Sequence, residues 1–132
     1  MTAAITAQDS AERARTIAID FDGVLMPFLA LGPDRELRTD AEPVAGAKAA
    51  LTRLRENGYR IVIHSSRSWE GYGYRRFVWT AALAEWLDKH GIPYDEIHMD
   101  AGKPPAIAYI DDLALRFDGD WKATADWLLF SR

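Results

Sequence analysis

The 132-residue chain contains no cysteine, which excludes disulfides and thiolate metal sites and fits a reducing compartment. It has no apolar run near the roughly 18 residues that a bilayer-spanning helix requires. The opening stretch MTAAITAQDSAERAR lacks the charged start and long apolar core of a signal peptide, so the expectation is a soluble, cytoplasmic protein. Positive charge is not in excess either. Sixteen Lys and Arg against twenty Asp and Glu leave a net charge of −4, which excludes a whole-chain basic footprint for nucleic acid or a membrane surface, a local patch aside. Internal repeats and low-complexity segments are also missing. What remains is ordinary: 48% hydrophobic and 27% charged residues, at a length that suits one domain with a substantial core.

Small and polar residues fill positions 1 to 15, which read as a flexible N-terminal tail or a short surface helix ahead of a domain spanning 16–132. TIAIDF (16–21) is a first strand. Residues 23–43 carry Gly23, Pro27, Gly32, Pro33 and Pro43 and read as an irregular loop or small flap. Val44, Ala47, Leu51 and Leu54 then follow helical spacing, with Pro43 suited to the first turn and Gly58 to the position after the last. YRIVIHS (59–65) is a continuous apolar strand of the buried parallel kind. A long helix covers about 74–90, a short strand lies within 93–100, another is AIAYIDD (106–112), and WKATADWLLF (121–130) is a closing helix with Asp120 as N-cap. This order implies an open, mainly parallel α/β sheet. In such sheets ligands bind beyond the carboxyl ends of the strands.

Three predicted strands carry polar groups at those ends: Asp20 and Asp22, then Ser65 and Ser66, then Asp111 and Asp112. Strand residues two apart share a face, so Asp20 and Asp22 point the same way, and their repulsion calls for a compensating cation. Four carboxylates at one edge make a hard, oxygen-rich site that suits Mg²⁺. Lys103 lies in the loop before the last strand, where it can reach the same edge and supply positive charge beside a phosphate. Taken singly, each acid pair is also what a polar surface turn would show. The case rests on their coincidence.

DFDGVL, IVIHSS, GKPP and YIDD, in that order, resemble the four motifs of the haloacid dehalogenase-like (HAD) superfamily of phosphohydrolases, over residues 16–112. The resemblance implies a three-layer Rossmann-like fold and Mg²⁺-dependent phosphoryl transfer through an aspartyl-phosphate. On it, Asp20 is the nucleophile, and Asp22 is the proton carrier whose backbone carbonyl also ligates the metal. Ser65 binds a phosphoryl oxygen, and Lys103 neutralises charge. Asp112 is the preferred direct metal ligand, with Asp111 ligating or orienting; the pair stays open between the two roles. Ser65 is preferred over Ser66, although a one-residue slip in register would promote Ser66. Gly23 and Arg67 complete the substrate-binding set, Arg67 by gripping a phosphate or carboxylate with its guanidinium. The intervals where relatives carry a cap, 23–43 and 67–102, look too short or too occupied, so a capless member is expected. An open site suits a large phosphorylated substrate, or a partner subunit that covers it.

The segment SWEGYGYRRFVW (68–79) joins five aromatics to Arg75 and Arg76. Trp69, Tyr72 and Tyr74 read as contacts for a planar substrate group. Phe77 and Trp79 read as core packing. This favours a nucleotide or polynucleotide-end phosphate as substrate. His64, His90 and His98 show no metal-ligand spacing, and Asp118 reads as a turn residue. The alternative of another class is a binding or regulatory module that keeps this fold with little catalysis.

Overall fold

The computed structural model describes residues 7–27 and 40–131. Helix α1 (Ala7–Arg15) leads directly into strand β1 (Thr16–Ile19), so the second half of the expected tail is helical. Then follow α2 (Ala47–Glu56), β2 (Arg60–Ile63), two 3₁₀ turns (Ser66–Ser68 and Glu70–Tyr72), α3 (Arg75–Lys89), β3 (Glu96–Ile97), β4 (Ala108–Ile110) and α4 (Trp121–Phe130). The four strands form one parallel sheet in the order β3-β2-β1-β4. Ile17 and Ile19 lie beside Ile61 and Ile63 in the register. This is the parallel α/β sheet that the order of elements implied, with shorter strands. Among the described residues no helix is long and apolar enough to cross a membrane.

Alternation along the strands sorts the side chains by face. Ile17, Ile19 and Phe21 join Ile61 and Ile63 in one buried cluster with Leu51 of α2 and Leu83, Trp86 and Leu87 of α3. Phe21 meets the Trp86 ring edge-on at 5.3 Å, and Trp86 Nε1 donates to the Ala41 carbonyl at 3.0 Å. The opposite face carries Ala18, Asp20, His64 and Tyr109, which line a shared cavity. Strands β3 and β4 occupy opposite edges, so residues 98–107 must travel past β2 and β1. That crossing brings Met99 to Gly102 beside His64.

Helix α2 starts later than its composition suggested. Gly46 precedes it at φ 87°, and no side chain caps it. That left-handed residue cannot belong to a right-handed first turn, so Pro43 stays outside. The Val44 N–H is committed instead to the Leu25 carbonyl at 2.8 Å, which ties the approach to the first loop. In the aromatic segment, Trp69, Tyr72 and Trp79 form a chain of edge-on rings at 5.1 and 4.8 Å. Phe77 corrects the expectation of core packing: it is exposed, with the Arg76 guanidinium 5.0 Å from its ring.

Candidate active site at the carboxyl edge of the sheet

The loop after β1 is held by its own apolar residues. Leu25 and Met26 N–H groups donate to the Phe21 carbonyl at 3.0 and 3.1 Å, and the Gly23 N–H to Met26 at 2.8 Å. Phe21, Leu25 and Met26 are all fully buried. This plug fixes the two acids on either side of Phe21. Asp20 is half-buried, with Oδ1 accepting from the Phe21 N–H at 2.9 Å, while its own N–H extends the β1–β4 pairing to Ile110 at 2.9 Å.

Oxygens of Asp20, Asp111 and Asp112 all lie within 4.8 Å of one another. Two chain segments about ninety residues apart thus place three carboxylates together at the ends of β1 and β4. Burial is the main cause that pushes the Asp20 pKa up to about 6, and the charges of Asp111, Asp22 and Asp112 add to it; the Phe21 N–H opposes the rise. The two last-motif acids are not equivalent. Asp111 Oδ1 already accepts from Leu113 and Ala114 N–H groups at 2.7 and 3.1 Å, shaping the turn after β4. Asp112 reaches across to the first loop, where a Cβ on Gly23 would sit 2.3 Å from its Oδ2. Gly23 also has φ 83°, so two independent constraints call for glycine here.

Asp22 is turned toward Arg67. The guanidinium Nε lies 3.0 and 3.2 Å from its two oxygens, and Nη2 lies 3.1 Å from Oδ1. The Arg67 side chain is 2% exposed and that of Asp22 12%, so the cation is buried and its acid largely so. The cation holds the second acid of the first motif, a pairing that two acids and one arginine at the same edge could have signalled.

Ser65 is buried and caps the following 3₁₀ turn, its Oγ accepting from the Arg67 N–H at 3.2 Å. Ser66 lines the cavity of about 290 Å³ that also contains Asp20, His64, Tyr109 and Asp111. Register explains the difference: Ile19 pairs with Ile63, so His64 and then Ser66 fall on the Asp20 side. His64 and Ser66 also line a second cavity of about 350 Å³, with Ser65, Trp69, Glu70, His98 and Asp100. His64 was passed over in the sequence, although its place beside Asp20 follows from strand register. Burial, His98 and Lys103 lower its pKa, which favours the neutral ring. The Lys103 ammonium stands 5.3 Å from the centre of the Tyr109 ring, and Tyr109 lines the Asp20 cavity.

Glu96, His98 and Asp100 form another group with ligand atoms close together, but two of its members are engaged elsewhere. Glu96 pairs with Arg60, and His98 Nε2 is 2.9 Å from the Gly102 carbonyl. Asp118 Oδ1 accepts from the Asp120 N–H at 3.1 Å within a turn.

No protein-family model matches the chain. A stretch of 60 residues, 46% of this chain and 29% of the relative, is 38% identical to a Chlorobaculum tepidum protein named "Putative 5'(3')-deoxyribonucleotidase". The fold is similar to the crystal structure of an MCSG target from Vibrio cholerae, with TM-score 0.54 and 25% identity over 89% of this chain and 99% of that one. A conserved protein from Bacteroides thetaiotaomicron shares the fold at TM-score 0.52, with 22% identity over 90% and 93% of the two chains. The deoxyribonucleotidase named in that match and the shared fold agree with the resemblance of the four motifs to the haloacid dehalogenase-like superfamily, and the matched stretch spans about a third of the relative's length. The interval from Arg67 to Gly102 is occupied by the 3₁₀ turns, α3 and β3. The other interval, where a small flap was expected, lies largely outside the described residues.

Proposed function

We propose that the protein is a Mg²⁺-dependent phosphatase that hydrolyses a phosphate monoester through an aspartyl-phosphate on Asp20. The observation that carries this reading is the meeting of Asp20, Asp111 and Asp112 at one edge, within 4.8 Å. The donor set fits the ion. All three groups are hard carboxylate oxygens, and the proton affinity of Asp20 is raised in part by its acidic neighbours, as expected of acids gathered without a cation. Asp112, Asp20 and the Asp22 carbonyl would hold Mg²⁺, with Asp111 orienting the loop. Bound there, Mg²⁺ supplies positive charge beside a phosphate dianion.

In the first step an Asp20 oxygen attacks phosphorus, the bond to the leaving oxygen breaks, and that oxygen takes a proton from Asp22. In the second, water attacks the phosphorus of the aspartyl-phosphate, its proton passes to Asp22, and Asp20 is released. Asp22 must swing from Arg67 to serve, so the pair acts as its resting place. Ser66 is the better placed serine for a phosphoryl oxygen, because it shares the Asp20 cavity. Lys103, exposed and with its ammonium over the Tyr109 ring that lines the cavity, would supply the positive charge.

A nucleotide is the favoured substrate. The relative's name points that way, and the adjoining cavity of about 350 Å³ is within the usual range for a small-molecule group. Trp69 at its rim is 60% exposed, with its ring packed so closely over Gly71 that a Cβ there would come within 2.4 Å of it. A braced, open indole face suits a stacked base. Hydrolysis of a generic aryl phosphate and of nucleoside monophosphates tests the reading. Turnover should require Mg²⁺, stop with chelator, and fall at least about a thousandfold in Asp20→Asn, as expected for loss of a nucleophile. Unchanged turnover in that variant would overturn it.

A further inference from the structure

The cavity of about 350 Å³ differs from the adjoining Asp20 cavity in what its walls offer. His64 and Ser66 line both, so a substrate with its phosphate at Asp20 extends past them into the larger space. Most hydrogen-bonding groups there are already committed. Ser65 Oγ accepts from the Arg67 N–H, and Ser68 Oγ shares a hydrogen bond of 2.8 Å with Thr80. The Met99 carbonyl accepts from Arg76 Nη2 at 2.8 Å. His98 Nε2 faces the Gly102 carbonyl, and because a carbonyl only accepts, that nitrogen carries the proton. In the neutral ring Nδ1 is then a further acceptor.

Glu70 and Asp100 stand apart from these. Both are exposed, both line the cavity, and among the described residues neither has an ion pair. Ionised carboxylates only accept. Among the described residues no lysine or arginine lines this space; Lys103 lies over the ring of Tyr109, a residue of the other cavity. Glu96, paired with Arg60, brings one more carboxylate within 4.8 Å of Asp100. An anion at this end would meet like charge, whereas an N–H donor would meet unused acceptors. We infer that the cavity selects a base carrying an exocyclic amino group, as cytosine and adenine do, over the keto counterparts uracil and hypoxanthine. This rests on the reading of Asp20 as the group that receives the phosphoryl and of the substrate as a nucleotide. The Trp69 indole, braced over Gly71, offers the base a stacking face. Glu70 follows it in the chain, and Asp100 arrives on the segment after β3, so the acceptors come from two separate stretches. An amino group donating to a carboxylate makes a charge-assisted bond, while a keto oxygen in its place faces other oxygens with no proton between them.

Two substrate pairs isolate that group: deoxycytidine against deoxyuridine monophosphate, and deoxyadenosine against deoxyinosine monophosphate. With Mg²⁺, kcat/KM of the wild-type protein should favour the amino member of each pair at least about tenfold, the worth of one hydrogen bond to a charged group. Glu70→Gln combined with Asp100→Asn removes both charges at exposed positions with little change of shape. In that double variant the ratio should fall to about threefold or less, and a ratio cancels any loss that both members share. A wild-type ratio near one overturns the inference, as does a ratio that the double variant leaves intact. Phosphonate analogues of the four nucleotides, with a methylene in place of the ester oxygen, read the same preference without turnover. In calorimetric titration of the wild-type protein with Mg²⁺, the amino members should bind at least about tenfold more tightly. Equal affinities, or no binding of any of the four, refute the selection even where an aryl phosphate is hydrolysed. Preferential binding by a protein that hydrolyses nothing would sink the phosphatase reading and leave the selection standing.

Discussion

Replacing Asp20 by Asn should make the metal-free protein more stable. The carboxyl is half-buried beside three other acids, and its pKa rises from an ordinary 3.8 to about 6. A rise of that size corresponds to at most about 3 kcal/mol, each tenfold change being worth about 1.4. Solvent reaching the site screens part of it, which leaves about 1–2 kcal/mol. The sign follows from linkage: the folded state holds the proton more tightly than the unfolded chain. The stabilising share is therefore fully present below pH 3.8 and disappears as the pH rises through about 6. Asn mimics the protonated form and keeps an oxygen for the Phe21 N–H. At pH 7.5 in chelator the variant should melt about 3–8 °C above wild type, and the gap should close toward pH 4. Millimolar Mg²⁺ should reverse the order, because the ion stabilises only the protein that binds it. A lower melting temperature for Asp20→Asn at pH 7.5 in chelator would refute the reasoning.

Gly23→Ala should cost about 1–3 kcal/mol in stability, because φ 83° and the Asp112 carboxylate both reject a Cβ. Calorimetric titration with Mg²⁺ should also show at least about tenfold weaker binding as Asp112 is displaced. Arg67→Leu should destabilise by about 3–5 kcal/mol in urea unfolding, since it strands Asp22 in a buried pair, and adding Asp22→Leu should restore part of that loss. Ser66→Ala should lower kcat/KM about tenfold with little change in stability, corresponding to one lost hydrogen bond to a charged oxygen. Ser65→Ala should instead lower stability by about 1 kcal/mol through the lost cap. The reverse pattern in steady-state kinetics would reassign the two serines.

Much of the architecture could be read from the chain because strands and chemistry coincide. TIAI and RIVI are rich in β-branched and apolar residues, as buried parallel strands demand, and the acids after the first and the serines after the second mark the edge where the cavities lie. Element ends were less legible. Helix α2 waits for Gly46 because the backbone before it is bound to Leu25, a tertiary contact with no local signature. The serine at the cavity and the partner of Arg67 depend on register and on a contact across 45 residues, which spacing alone does not specify. Phe77 shows a related failure: helical spacing suggested a core face, but the buried face of α3 runs through Thr80, Leu83, Trp86 and Leu87.

Fluorine NMR with beryllofluoride addresses the central claim most directly, because that ion mimics a phosphoryl group on a carboxylate beside Mg²⁺. Wild-type protein with Mg²⁺ should give new bound resonances that vanish with chelator, in Asp20→Asn and in Asp112→Asn. Bound resonances that persist in Asp20→Asn would show that some other group receives the phosphoryl, and the account given for this edge of the sheet would be wrong.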